Sequence, residues 1–161
     1  MNAAGRAPSA QRILIATLIA VACALASYSS AYAQQLEKLT IVTAGGGRQT
    51  FEVEVMRNDA DRARGLMFRR MLPADRGMLF DFGREEEVSM WMQNTYIPLD
   101  MLFIRADGVI RRIAANTEPL STRTIPSGGP ALGVLEINGG EAAKRGIKPG
   151  DRVEHPLFGG K

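Results

Sequence analysis

The sequence predicts an all-β fold: a compact, β-rich sandwich or barrel of about seven short strands with two small helices, placed behind a signal peptide. Three observations carry this. Apolar runs are short and are separated by turns built from glycine, proline and aspartate. Two such runs alternate apolar and polar residues around Gly45-Gly46-Gly47. Residues 34–161 contain no heptad, internal repeat or low-complexity tract, and only two brief segments carry helix start and stop signals.

The first element is an address rather than a structural unit. Arg6 and Arg12 precede an apolar stretch, Ile13 to Ala26, and no acidic residue occurs before Glu37. Ala31-Tyr32-Ala33 then forms a small-residue cleavage site. A membrane span needs roughly 20 apolar residues, which this stretch does not reach. Residues 1–33 therefore read as a signal peptide, and 34–161 as one exported, periplasmic or secreted domain with no stable membrane span after cleavage. Lipid modification at Cys23 is the poorer reading, because Ala20 stands where such sites carry leucine.

Processing changes the composition. The whole chain has 20 Lys and Arg against 17 Asp and Glu; losing Arg6 and Arg12 leaves a net charge of +1. Nucleic acid has no special support as a partner. The single Cys lies in the leader, so the mature chain has none, which suits an oxidising compartment.

The elements follow in order. Lys38–Ala44 and Phe51–Val55 read as an antiparallel hairpin with one solvated face. Asn58–Gly65 reads as a short helix, with Asn58 as N-cap, Asp59 and Asp61 at its positive end, Arg62 and Arg64 at its negative end, and Gly65 as its stop. Gly77–Phe82, the alternating Val88–Met92, Ile97–Ile104 and Val109–Ala114 read as strands, the last two joined by a turn at Ala106-Asp107-Gly108. Glu118–Pro130, rich in proline and glycine, reads as a loop long enough to suggest function. Ala131–Ile137 is a strand, Gly140–Arg145 a one-turn helix, and Arg152–His155 a final strand.

Few residues suggest chemistry. There is no zinc-protease helix, phosphate loop or dinucleotide fingerprint, and neither metal nor cofactor is expected. The lone His155, beside Pro156, reads as a surface residue, and Glu85-Glu86-Glu87 as a solvated loop. The most informative stretch is Trp91–Asp100, which packs the single Trp, an Asn, a Tyr and an Asp into ten residues. Trp91 can supply a stacking face and Asn94 a bidentate amide for a small polar ligand. Thr95, Asp100, Arg62 and Arg69 complete the candidate binding set. The structural alternative has Asn94 and Thr95 holding a turn and Asp100 buried against arginine or backbone N–H groups.

These observations favour a non-catalytic binding or envelope accessory domain, whose partner is a small polar ligand or an envelope protein. Two alternatives belong to other classes. One is a carboxylate-based hydrolase using Asp100 with Glu136 or Glu54 as acid and base. The other is a copper(I) carrier using some of the methionines at 56, 67, 71, 78, 90, 92 and 101, which otherwise fill core.

An ordered set of motifs runs through Glu54, Arg62, Gly65-Leu66-Met67, Arg69, Gly77-Met78-Leu79-Phe80-Asp81-Phe82, Trp91–Asp100 and Val134-Leu135-Glu136. In this the chain resembles the family called domain of unknown function 192, over about residues 38–155. The resemblance implies a compact β-rich sandwich, often behind an export signal, and supplies no activity or catalytic residues.

Overall fold

A computed structural model describes residues 36–159; the signal-peptide reading lies outside them. Around the triple glycine, β1 (Leu36–Val42) and β2 (Arg48–Met56) pair antiparallel, with Val42 opposite Arg48. Helix α1 (Asp59–Arg64) begins where Asn58 Oδ1 accepts the Asp61 N–H at 2.9 Å and ends at Gly65, whose φ is 46°. Leu66 then turns back into the core.

The remaining strands are β3 (Arg76–Glu86), β4 (Ser89–Met90), β5 (Leu99–Ile104), β6 (Ile110–Thr117), β7 (Ile125–Pro126), β8 (Ala131–Asn138) and β9 (Arg152–Glu154), with helix α2 (Glu141–Lys144) before the last. Seven strands form one curled sheet in the order β6-β5-β8-β3-β2-β1-β9, while β4 and β7 make a separate ribbon. The β2–β3 pair is parallel and the other pairings antiparallel. Residues 57–75 therefore cross over between parallel neighbours instead of closing a hairpin.

The sheet curls until its edges touch. Val109 bridges Arg152, and the Val153 N–H donates to the Gly108 carbonyl at 2.8 Å. Gly108 has φ 82°, and a Cβ there would lie 2.6 Å from the Val153 carbonyl oxygen. Gly108→Ala is therefore expected to cost about 2 kcal/mol through backbone strain and a loosened seam. Urea unfolding of residues 34–161 measures this as a lower midpoint.

Curling creates two apolar cores. The inner one gathers Leu39, Phe51, Val53, Leu79, Leu102, Leu135 and Ile137. The outer one gathers Met56, Leu66, Met78, Phe80, Met92, Met101, Phe103 and Val134 beneath the crossover and the 88–97 segment. Strands β3, β5 and β8 are thus sandwiched on both faces, which explains the continuous apolar run in β5, every residue of which is buried. Most methionines behave as fillers: Met56, Met78, Met92 and Met101 are buried, whereas Met71 is exposed.

Three local expectations need correction. Only Ser89–Met90 of the alternating 88–92 segment is strand, because the Met92 N–H bonds to Ser121 and its carbonyl closes a turn at Thr95. The acidic 85–87 run is not all loop: Glu85 and Glu86 finish β3. His155 is buried instead of exposed, because β9 pairs with β1 and carries the ring beneath the 156–159 turn.

The His155 Nδ1 accepts the Leu157 N–H at 3.2 Å, which leaves its proton on Nε2, 3.3 Å from Glu37 Oε2. Burial pushes the His155 pKa below 6.5 despite the carboxylate. The unfolded chain then binds the additional proton first, so stability present above pH 6.5 is lost as pH falls below it. Relative to His155→Gln, wild type should lose urea resistance between pH 6.5 and pH 5.

Candidate functional site

Strand register sets the floor of the site. Glu54 on β2 lies opposite Met78 on β3, Met78 opposite Glu136 on β8, and Glu136 opposite Met101 on β5. Directly paired residues share a face, so this row looks outward, into the core beneath the crossover. Its two carboxylates meet different fates. Glu54 receives both Arg69 Nη1 and Nη2 at 2.6 Å, a bidentate pair. Glu136 is only 4% exposed, and among the described residues burial is the only influence on its carboxyl, with no hydrogen-bond or charged partner acting on it. Burial alone pushes its pKa up to about 8, so it is mostly a neutral acid at pH 7.

Glu136 opens onto a cavity of about 250 Å³. One wall is α1 and the turn after it, with Arg62, Arg64, Gly65, Leu66 and Met67; another is Ser89, Met90, Trp91 and Thr95; Phe80 and Phe82 line the sheet side. The walls hold because the Phe68 N–H donates to the Asn94 carbonyl at 2.8 Å, tying the crossover to the 91–97 loop. Both residues take left-handed backbone, φ 65° and 55°. For a bulky residue such as Phe68 this is strain, a feature that clusters at functional sites.

The candidate residues divide. Trp91, 53% exposed, forms the rim, Thr95 lines the cavity, and Arg62 stands at its wall. Three of the five Arg62 donors are taken, by Asp59, the Arg57 carbonyl and the Asp81 carbonyl, and its guanidinium lies 5.7 Å from the Phe82 ring centre. Asn94 supports the wall, its amide Nδ2 3.8 Å from Met67 Sδ. Arg69 serves Glu54.

Asp100 is not brought to this site. It pairs with Ile137, so it faces the inner side of the sheet, opposite to Glu136. There it accepts N–H groups from Asn116, Gly140 and Ala142 at 2.8–2.9 Å, the backbone version of the structural alternative. An acid–base pair of Asp100 with Glu136 is therefore divided by the sheet. Sequence reasoning reaches Glu136 only as a member of that pair and not as part of the ligand set. The available signal was a lone acid in the apolar Ala131–Ile137 run.

Among the described residues, no three His, Cys, Asp or Glu side chains converge as a metal set, and no helix is long and apolar enough to cross a membrane. A second hollow of about 500 Å³ lies between β6 and the 118–125 loop, lined by Arg112, Asn116, Glu118 and Arg123 among others. It contains no buried acid or base comparable to Glu136.

The fold and this cavity can now be set beside known proteins. The chain belongs to the DUF192 family, described as "Uncharacterized ACR", whose model matches residues 40–155. It is similar to a candidate transcription regulator from Sinorhizobium meliloti 1021, with 45% identity over 78% of this chain and 97% of that one, and a TM-score of 0.76. It is also similar to a protein of unknown function from Novosphingobium aromaticivorans DSM 12444, with 43% identity over 78% of this chain and 89% of that one, and a TM-score of 0.74. No curated protein matches the chain.

Proposed function

We propose that this protein is an exported, non-catalytic binding module, which takes a small polar ligand into the cavity above Glu136. One observation carries the reading: a buried carboxyl group without a donor faces an open cavity. Burying such a group is costly and contributes nothing to packing. Its presence in a strand position that a leucine of similar volume could occupy is explained by a partner that arrives from outside. Trp91 at the rim and the aromatic and thioether walls supply apolar contact around that polar centre, the usual composition of a small-molecule site.

The hydrolase reading has less support, since Asp100 lies on the other face and Glu54 is engaged by Arg69. The copper(I) reading rests on Met67 and Met90 at the cavity wall, and four of the other methionines are buried. The transcription-regulator description of the Sinorhizobium relative gains no support from the overall charge, which is +1 after residue 33.

Native mass spectrometry of the protein taken from its own cell envelope tests both parts of the proposal. The expected species begins at Gln34 and carries a bound mass that is lost on denaturation. Glu136→Leu, similar in volume, should arrive without it. A wild-type protein that retains nothing, or a Glu136→Leu variant that retains the same mass, overturns the ligand reading. Recovery of the uncleaved chain overturns export.

A further inference from the structure

Four carboxyl groups are buried among the described residues: Asp100, Glu136, Glu141 and Asp151. The chain itself supplies donors to three of them. Asp100 has its three backbone N–H groups, Asp151 accepts from Ala44 and Lys148 at 2.8 and 2.7 Å, and Glu141 accepts from Lys144 and Arg145 at 2.9 and 2.8 Å. Glu136 is the exception, and it lines the cavity of about 250 Å³. What its surroundings lack is a donor.

The charged groups around it indicate which kind. On β2, Glu54 and Arg69 neutralise each other. On α1, Arg62 has three of its five N–H donors engaged, by the Arg57 and Asp81 carbonyls and by Asp59, and Arg64 is exposed at the wall. The row neighbours Met78 and Met101 are apolar, and the 89–95 segment brings no charge, only Ser89, Met90, Trp91 and Thr95 to the lining. A carboxylate ligand would find cations only at the α1 wall, Arg62 and Arg64, and none acting beside Glu136, whose carboxyl is influenced by burial alone. A ligand offering only acceptors would gain one hydrogen bond from the acid form. A cation gains the carboxylate charge in a weakly screened setting, together with the faces of Trp91 and Phe80 and the polarisable sulfurs of Met67 and Met90.

Resting on the binding reading above, we propose that the cavity holds a primary ammonium group carried on a short apolar chain or ring, with Glu136 as its anionic partner. The ammonium displaces the proton that Glu136 otherwise keeps, so binding releases a proton near neutral pH. Below the free acid's pKa of about 8 the proton competes, and apparent affinity falls about tenfold for each pH unit.

The test uses residues 34–161, a unit that folds on its own: the Sinorhizobium relative is a chain of which 97% is this domain. Trp91, the only tryptophan, reports occupancy by fluorescence. The probes are 2-phenylethylammonium, 2-phenylethanol and phenylacetate, with butylammonium and butanol as a smaller pair. At pH 8.5 the ammonium probes should bind at least tenfold more tightly than the alcohols, and the advantage should shrink by pH 6. Glu136→Gln should abolish it, and calorimetry in two buffers of different ionisation enthalpy should show proton release for wild type at pH 7. Equal or tighter binding of an alcohol or of phenylacetate overturns the ammonium inference alone, as does a preference that survives in Glu136→Gln. Failure of every probe to bind overturns this inference and the cavity reading with it.

Discussion

Glu136→Gln should make the domain more stable by about 2–3 kcal/mol at pH 7, an uncommon sign for a buried polar substitution. The folded pKa of Glu136, about 8, lies above its ordinary value of 4.5. In the unfolded chain the group ionises as pH rises through 4.5, while in the folded protein it must remain protonated or bear the cost of a buried charge. Its contribution is therefore most favourable below pH 4.5 and is lost progressively as pH rises from there to about 8. One pKa unit corresponds to about 1.4 kcal/mol, so most of the difference has developed by neutrality. The glutamine variant does not titrate and keeps nearly the same shape. Urea unfolding at pH 4.5, 7 and 8.5 should show near-equal stabilities at the acid end and a widening gap in favour of the variant. Parallel curves at all three values would mean that Glu136 is solvated in the folded state. A gain in stability together with lost ligand binding is the signature expected of a group kept for function.

Asp100→Ala should have the opposite effect and the larger magnitude, a loss of about 4 kcal/mol or more. The carboxyl group satisfies the N–H groups of Asn116, Gly140 and Ala142 at once, joining the end of β6 to the start of α2 from the middle of a fully buried strand. Hydrogen bonds to such a group are worth about 1.5–3 kcal/mol each, and a buried donor left bare costs a further penalty. The neighbourhood is too tight for a compensating shift: a Cβ on Gly139 would lie 2.9 Å from Asn116 Oδ1 and 3.0 Å from Pro98. Asp100→Asn should recover only part of the loss: its Oδ1 can still accept from Asn116 and Gly140, while its NH2 meets the Ala142 N–H donor to donor. Thermal unfolding monitored by far-UV circular dichroism reads both variants. A variant within about 1 kcal/mol of wild type would show that water replaces the carboxylate.

These two acids show where sequence reasoning reaches and where it stops. Both stand as single carboxylates in apolar strands, Asp100 between Leu99 and Met101 and Glu136 between Leu135 and Ile137. Local pattern marks each as a buried polar residue that needs a partner. It does not say on which face of the sheet each lies, because β5 and β8 are buried on both faces and the usual apolar–polar alternation vanishes. Nearness in sequence groups Asp100 with Trp91 and Asn94. The β5–β8 register puts it on the opposite side, while Glu136, forty-five residues beyond Trp91, joins the same cavity.

Elements governed by neighbours within a few residues were legible. The hairpin over Gly46, the Asn58 cap, the Gly65 stop and the turn at Gly108 each depend on backbone preferences that short segments carry with them. The parallel β2–β3 pairing, the burial of His155 and the brevity of β4 did not come from local pattern. Each results from a contact with a distant segment, which outweighs a propensity difference of less than 1 kcal/mol. The amino-acid sequence by itself determined a β-rich domain, its turns and caps, and its family. The tertiary structure alone decided which carboxylate is structural and which is left facing a cavity, because that depends on strand register and curl, quantities set by packing across the whole sheet.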